Sequence, residues 1–527
     1  MEKQSKTKRN VLLTMGIVVA VIGIGRIAMG CVAKHELRKA LAGIPDAQIE
    51  FKGFHFSLLS GNLELRHVEI ERSDSTDAGP GIHGRIEAIR LERVRWSGLF
   101  RGEASAKRLL IRGPRARLVL TGKSAEKEDS TSQEASFLKK VSLSELRVEK
   151  GDIGLDSQNN SLRASAKDLA FSVRDIGILL ADNRVEYNDS CYSFSLDSLD
   201  FTDATGLSSV QIGHLSTADA GPVRALALHL YNSVSKEEVA EKMGKVASMW
   251  YDAKIDTLTT SPLNIPRMLV SESVSIDSLF LSGPEVVVFQ DDRYPPAVPY
   301  PTMQEGANSL KMPLLIKQID ARINSFTFIW ETTHVNRGTL PMHSVRMAII
   351  SVSNAPNNVM EIGLRSGLAG RSRMSMSVFI RNDKRESTHG SMQLFNLDAS
   401  RLDPFLRPLF GATAKADIQQ IDCSFKGDKY QMTNNFCMQY SQLSLMAWND
   451  SSAPFQIVAK NSGFVSFLAN AIIPTSNPTK PGAEPKRVEV TFERDPMLPY
   501  PSYLIQNLTT GMLRTVLPGG TIRKTKE

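Results

Sequence analysis

The sequence predicts a mainly β protein: a single N-terminal transmembrane helix, then an elongated, internally duplicated antiparallel β body, grooved or layered, with a C-terminal amphipathic helix. Three observations predict it. An uncharged apolar run follows a basic start, short apolar/polar alternation prevails beyond residue 48, and one strand pattern occurs twice.

Lys3, Lys6, Lys8 and Arg9 precede an apolar run that includes Val11, Leu12, Leu13, Ile17, Val18, Val19, Val21, Ile22, Ile24 and Ile27. Basic residues before an apolar segment are the order of a signal anchor, with the tail 1–10 cytoplasmic and the body outside. Continued to Val32, the helix would be roughly 33 Å long, enough to cross a bilayer core. Arg26 lies near its outer end, where its side chain reaches the headgroups. A rival reading makes Ala28-Met29-Gly30-Cys31 a lipoprotein cleavage site with Cys31 acylated; Ala28 stands where such sites carry a branched aliphatic, so the retained anchor is preferred.

Alternation with period two marks half-buried strands, as in Phe54-His55-Phe56, Leu63-Glu64-Leu65 and Ile86 to Val94. Helical periodicity is confined to Glu237–Tyr251 and Ser502–Leu517, the latter after Pro499 and Pro501. The modules expected are 48–122, 137–290 and 308–472, with a closing strand and helix in 487–527. On the last helix, Tyr503, Leu504, Leu508, Met512 and Leu513 are expected to cap the open end of the sheet.

The repeat is read from two pairs of segments. Leu109-Leu110-Ile111-Arg112-Gly113-Pro114-Arg115-Ala116 returns 170 residues later as Leu279-Phe280-Leu281-Ser282-Gly283-Pro284-Glu285-Val286. Leu143, Leu146, Val148, Gly151, Ile153 and Leu155 return 173 residues later as Ile316, Ile319, Ala321, Asn324, Phe326 and Phe328. In each copy a polar or Pro-rich linker intervenes, Lys123–Ser136 and Asp291–Gly306, expected as loops at the body's edge. Gly-Pro supplies a tight turn and no backbone donor, so the strand before it is expected to end or to lie at a sheet edge. Gly151 and Asn324 are expected at equivalent turns, where positive φ suits them.

A 527-residue chain exceeds one compact core, and its 42% hydrophobic and 23% charged residues are those of a folded protein rather than a disordered one. The net charge of +7 is scattered, without clustered basic residues or stacking aromatics, which argues against nucleic acid. Cys31, Cys191, Cys423 and Cys437 are too few for a disulfide scaffold. A hairpin around Gly427 leaves Cys423 and Cys437 out of direct opposition, so both are read as buried thiols. No H-E-x-x-H, G-x-S-x-G, Walker loop or paired C-x-x-C occurs, so no catalytic residue, metal ligand or cofactor is assigned. Asp291-Asp292 is read as solvated loop charge, because neighbours on a strand point to opposite faces.

Phe54-His55-Phe56-Ser57-Leu58-Leu59-Ser60-Gly61-Asn62-Leu63-Glu64-Leu65, the strand run Ile89–Leu118, Leu402-Asp403-Pro404-Phe405, Cys423-Ser424-Phe425-Lys426-Gly427, Met438–Leu443 and Phe492-Glu493-Arg494-Asp495 occur in order along most of the chain. In that order and spacing the sequence resembles the AsmA-like family of inner-membrane-anchored periplasmic proteins, related to TamB and YhdP. The resemblance implies a bacterial inner-membrane protein, single-pass, with a periplasmic body. It also implies a non-catalytic, lipid-handling role in envelope and outer-membrane biogenesis, with phospholipid or another acyl lipid as ligand. Groove candidates are Phe54, Phe56, Leu63, Leu65, Ile153, Leu155, Phe326 and Phe328. The bland reading makes each of them sandwich core. The alternative function is a structural or assembly factor binding another envelope protein through sheet edges.

Overall fold

The computed structural model describes residues 34, 47–57, 60–72, 81–95, 103–120, 140–157, 162–179, 184–186, 191–236, 238, 249–291, 293, 298–331, 336–447, 455–458, 474–516 and 521–524. The expected anchor over 11–32, Cys31 and the linker 123–136 lie outside them. No described helix is long and apolar enough to cross a membrane. The protein is mainly β, in two compact units: 1–206 with 212–221, and 207–211 with 222–527.

Unit 1 is built on β1 (Ala47–Ser57), β2 (Asn62–Arg72), β3 (Gly81–Glu92), β4 (Glu103–Leu120), β5 (Lys140–Ser157) and β6 (Arg163–Leu179), with the shorter β7 (Arg184–Glu186), β8 (Tyr192–Leu196) and β9 (Ser198–Thr202) along β6. β10 (Ser208–Thr217) follows; its end, Leu215–Thr217, pairs with β8. Neighbours β1 to β4 pair antiparallel, β4 and β5 pair parallel, and β5 and β6 are antiparallel again.

Unit 2 repeats this arrangement. β11 (Pro222–Asn232), β12 (Trp250–Pro262) and β13 (Val274–Asp291) pair antiparallel, then β13 pairs parallel with β14 (Leu314–Glu331). An antiparallel run follows through β15 (Arg337–Ser353), β16 (Val359–Leu368), β17 (Arg373–Arg381), β18 (Thr388–Asp398), β19 (Ala412–Gly427) and β20 (Gln431–Ala447). β21 (Phe455–Val458) pairs with the last strand, β23 (Thr521–Lys524), and β22 (Arg487–Glu493) adds to β20. The helices are α1 (Ile265–Val270), α2 (Met303–Asn308), α3 (Asp403–Phe410) and α4 (Tyr500–Val516).

The duplicated segments are these two parallel pairs. Leu109 lies beside Leu146 and Ala116 beside Ile153; in the second copy Leu279 lies beside Ile319 and Val286 beside Phe326. The sheet is therefore mixed, not purely antiparallel. A parallel partner requires the chain to return to the starting end, which takes a dozen residues or more. In the second copy the described residues 298–313 belong to that return. The second return is not all loop: Thr302 caps α2 by accepting from the Glu305 N–H at 3.0 Å, while the Glu305 carboxylate accepts from the Thr302 N–H at 2.9 Å. Asp291 is not solvated loop charge either. It ends β13 with its side chain 3% exposed and held by Arg293 at 2.6 Å.

The Gly-Pro pairs are not turns. Both stand inside strands that are paired on both sides. Gly113 takes φ of 57° within β4, and the pairing to β5 passes from Arg112–Glu149 to Arg115–Asp152, so the missing Pro114 donor is not needed. Gly151 and Asn324 are mid-strand too. Lys150 (φ 54°) and Ser344 (φ 52°), the latter in the strand beside β14, take the left-handed conformation instead.

Unit 2 has a covered core. Val378, Met392, Ile421, Phe436 and Met438 lie on one apolar face with α4 packed on β20 and β22, and Trp330, wholly buried, packs with Phe328, Phe405, Leu409 and Leu498. The family-like Leu402-Asp403-Pro404-Phe405 forms the entry to α3, with Pro404 in the first turn and Gly411 as a left-handed cap. The helix expected at Ser502–Leu517 is α4. The one expected over Glu237–Tyr251 does not reach its end: Tyr251 belongs to β12, opposite Val288, because the Trp250–Pro262 strand continues the sheet. Cys423 and Cys437 are free and stand in neighbouring rows, opposite Phe436 and Asp422.

Candidate functional site

The candidate site is the apolar face of β1 to β6. Phe54 lies opposite Leu65 and Phe56 opposite Leu63. The rows continue through Ile89 and Leu91 on β3, Ile111 and Leu109 on β4, Val148 and Leu146 on β5, and Phe171 and Val173 on β6. Nearer the other strand ends, Phe51, Val68 and Ile86 make a further row, and Ile82 and Leu118, then Leu155 on β5, another.

A strict period of two would place Leu65 and Val68, three residues apart, on opposite faces. They nevertheless pack in one cluster with Phe51, Phe54, Ile86 and Ile89. The cause is a seam of left-handed residues, His67 on β2, Gly113 on β4, Lys150 on β5 and Asp168 on β6. Each re-phases its strand as a bulge does, so the apolar residues on both sides of the seam share a face. Gly113 carries the closest approach: a Cβ there would lie 2.5 Å from the Glu87 side chain.

The opposite face is charged. Glu64 accepts from Arg66 at 2.7 Å and from Arg90 at 3.3 Å; Arg108 reaches Glu145 at 2.6 Å, Arg117 reaches Asp156 at 2.6 Å and Arg112 reaches Glu149 at 3.6 Å. The hydrogen bond from Arg66 leads in holding the Glu64 carboxyl below the usual range, against its burial. Exposed pairs of this kind contribute about 0–1 kcal/mol each. Their consequence is orientation: six strands present charge on one side and aliphatic or aromatic side chains on the other.

Among the described residues, neither a helix nor a second sheet layer packs on the apolar face of β2 to β6. Leu63, Ile89, Leu91, Leu109, Ile111, Leu146, Val148, Ile153 and Leu155 stay only half-buried although their strands are paired. On the charged side, the rows Glu69, Arg85, Arg115, Asp152 and Glu71, His83, Arg117, Gly154 border a depression of about 560 Å³.

The chain matches no known family model and no curated protein. Its site is therefore read from geometry alone. Of the groove candidates, Phe54, Phe56, Leu63 and Leu65 come together at one end of the unit 1 face, and Ile153 and Leu155 lie on the same face beyond the seam. Phe326 and Phe328 belong to unit 2, where Phe328 is 5% exposed in the cluster with Trp330 and Leu409. Ile111, Leu146 and Val148 stood out in the sequence only as members of the repeat, and Phe171 not at all; their alternation was legible, but the seam breaks its phase. Among the described residues, no group of three or more His, Cys, Asp or Glu is arranged to hold a metal ion.

Proposed function

We propose that this chain is a non-catalytic lipid-handling protein of the bacterial cell envelope, AsmA-like, in which the apolar face of unit 1 holds or passes acyl chains during outer-membrane biogenesis. The observation that carries the reading is the one-sided sheet: half-buried aliphatic rows across β2 to β6 with no described layer upon them, backed by a charged face. A continuous apolar face left without a covering layer calls for a partner. Residues 11–32 would tether this face to the inner membrane, with the body in the periplasm.

The test is lipid mass spectrometry of protein purified in mild detergent, with transfer between vesicles measured beside it. Co-purified phospholipid is expected for the wild type and for Arg112→Gln on the charged face. It should be lost from an Ile111→Asp, Val148→Asp double variant that keeps its β circular dichroism. Wild-type protein free of lipid and inactive in transfer would sink the reading.

A further inference from the structure

Arg322 on β14 lies directly opposite Arg346 on β15, which lies directly opposite Arg365 on β16. All three side chains are exposed. Like charges directly across neighbouring strands, with Cβ atoms about 5 Å apart, are destabilising, and elsewhere this protein answers cross-strand arginines with acids, as Arg108 with Glu145 and Arg117 with Asp156. Here none of the three forms an ion pair with a described residue. Arg322 lies over the Phe280 ring at 5.2 Å, and the nearby Asp320 is engaged by the Gln318 amide at 2.7 Å.

The arginines line a depression of about 510 Å³ on the sheet face, together with Gly363, Ser377 and Ser391. Gly363 leaves the depression clear, since an added Cβ would meet only the Ala348 carbonyl, at 3.9 Å. Three guanidinium groups from neighbouring strands, lining one depression with Ser377 and Ser391, supply forked donors suited to a tetrahedral oxyanion. Asp320 and Glu361 also border the depression, which limits the site to a ligand whose charge meets the arginine row.

We propose that Arg322, Arg346 and Arg365 form a binding site for a phosphate group on unit 2, separate from the apolar face of unit 1. The phosphate could belong to a lipid headgroup or to a soluble phosphate, and the two differ in what carries them to the site.

Titration calorimetry of the full chain with inorganic phosphate and with pyrophosphate, and co-sedimentation with phosphatidylcholine vesicles with and without phosphatidylglycerol, test it. Binding is expected in at least one arm: phosphate alone identifies a soluble ligand, phosphatidylglycerol-dependent sedimentation a headgroup. Arg346→Gln should weaken that binding about tenfold or more, Arg346→Lys should weaken it through loss of the fork, and Arg267→Gln, an exposed arginine on α1, should leave it unchanged. Without phosphate, Arg346→Gln should hold or raise the melting temperature, because it relieves repulsion. The proposal is overturned if wild type binds in neither arm, if the triple glutamine variant binds as wild type does, if Arg267→Gln weakens binding equally, or if Arg346→Gln lowers the melting temperature.

Discussion

At the scale of single residues, the buried thiols and the seam make opposite demands. Burial pushes the Cys423 thiol up to about 12, against a hydrogen bond to the Asn434 amide oxygen at 2.9 Å, and burial also raises Cys437. The thiolate is the reactive form, so neither should react at mild alkaline pH. Alkylation of the folded protein followed by peptide mapping is expected to modify half-buried Cys191 and to spare Cys423 and Cys437 until the protein unfolds. Gly113 is constrained by its backbone: φ of 57° suits glycine and costs a β-branched residue about 1–3 kcal/mol. Gly113→Val should lower unit 1's stability in urea by about that amount, with Gly154→Ala, at an ordinary φ, as the mild control. Glu64 adds a pH dependence. Its folded pKa lies below the unfolded value, so its contribution is present above the unfolded pKa of about 4.3 and is lost as pH falls through the folded one. Glu64→Gln should flatten the acid limb of unit 1's stability profile, measured by chemical unfolding from neutral to acid pH.

At the scale of elements, α4 shows how a helix is chosen by the sheet beneath it. Its inward side carries Tyr503, Asn507, Thr510 and Leu513, a mixed rather than a purely apolar stripe. Most polar members are answered: Asn507 accepts from the Asn434 amide at 3.3 Å, Thr510 donates to the Gln506 carbonyl at 2.7 Å and Ser502 donates to Gln290 at 2.8 Å, whereas the buried Tyr503 hydroxyl has no partner among the described residues. Gly511 sets the approach, since a Cβ there would lie 2.7 Å from the Phe436 ring. Gly511→Ala would gain intrinsic helix propensity of about 1 kcal/mol. Overpacking against Phe436 should outweigh this and destabilise unit 2 by about 1–3 kcal/mol, read as a lower urea midpoint; an increase would show that the helix can move outward freely. The expectation that Tyr503, Leu504, Leu508, Met512 and Leu513 cap the end of a sheet was close in identity and incomplete in placement. They cover a face of β20 and β22.

At the scale of the whole molecule, the two units bury their strands differently. Unit 2 encloses Trp330, Met432 and Phe436 beneath α3 and α4, whereas the described residues of unit 1 bury few apolar side chains closely, among them Phe51, Leu65, Val68, Leu110, Tyr192 and Leu196. Local stability follows buried apolar contact. Hydrogen exchange should therefore protect β17 to β20 longer than β2 to β5, and acyl lipid should slow exchange in β2 to β5 selectively; uniform protection across both units would contradict this contrast.

Strand content, the two-fold repeat, the C-terminal helix and the isolation of the cysteines were all legible in the sequence, because each depends on local period, spacing or composition. Tertiary structure decided what those patterns meant. Gly113-Pro114 and Gly283-Pro284 look like turns to a local reading, yet paired neighbours on both sides hold them within strands. Phe56 and Phe328 have similar alternating contexts, and it is the packing of Phe405 and Leu409 of α3, seated on β15 and β19, with Phe328 and Trp330 that makes Phe328 core. Period two reports which face a side chain takes; it carries no information about what packs on that face, which is set by segments far along the chain.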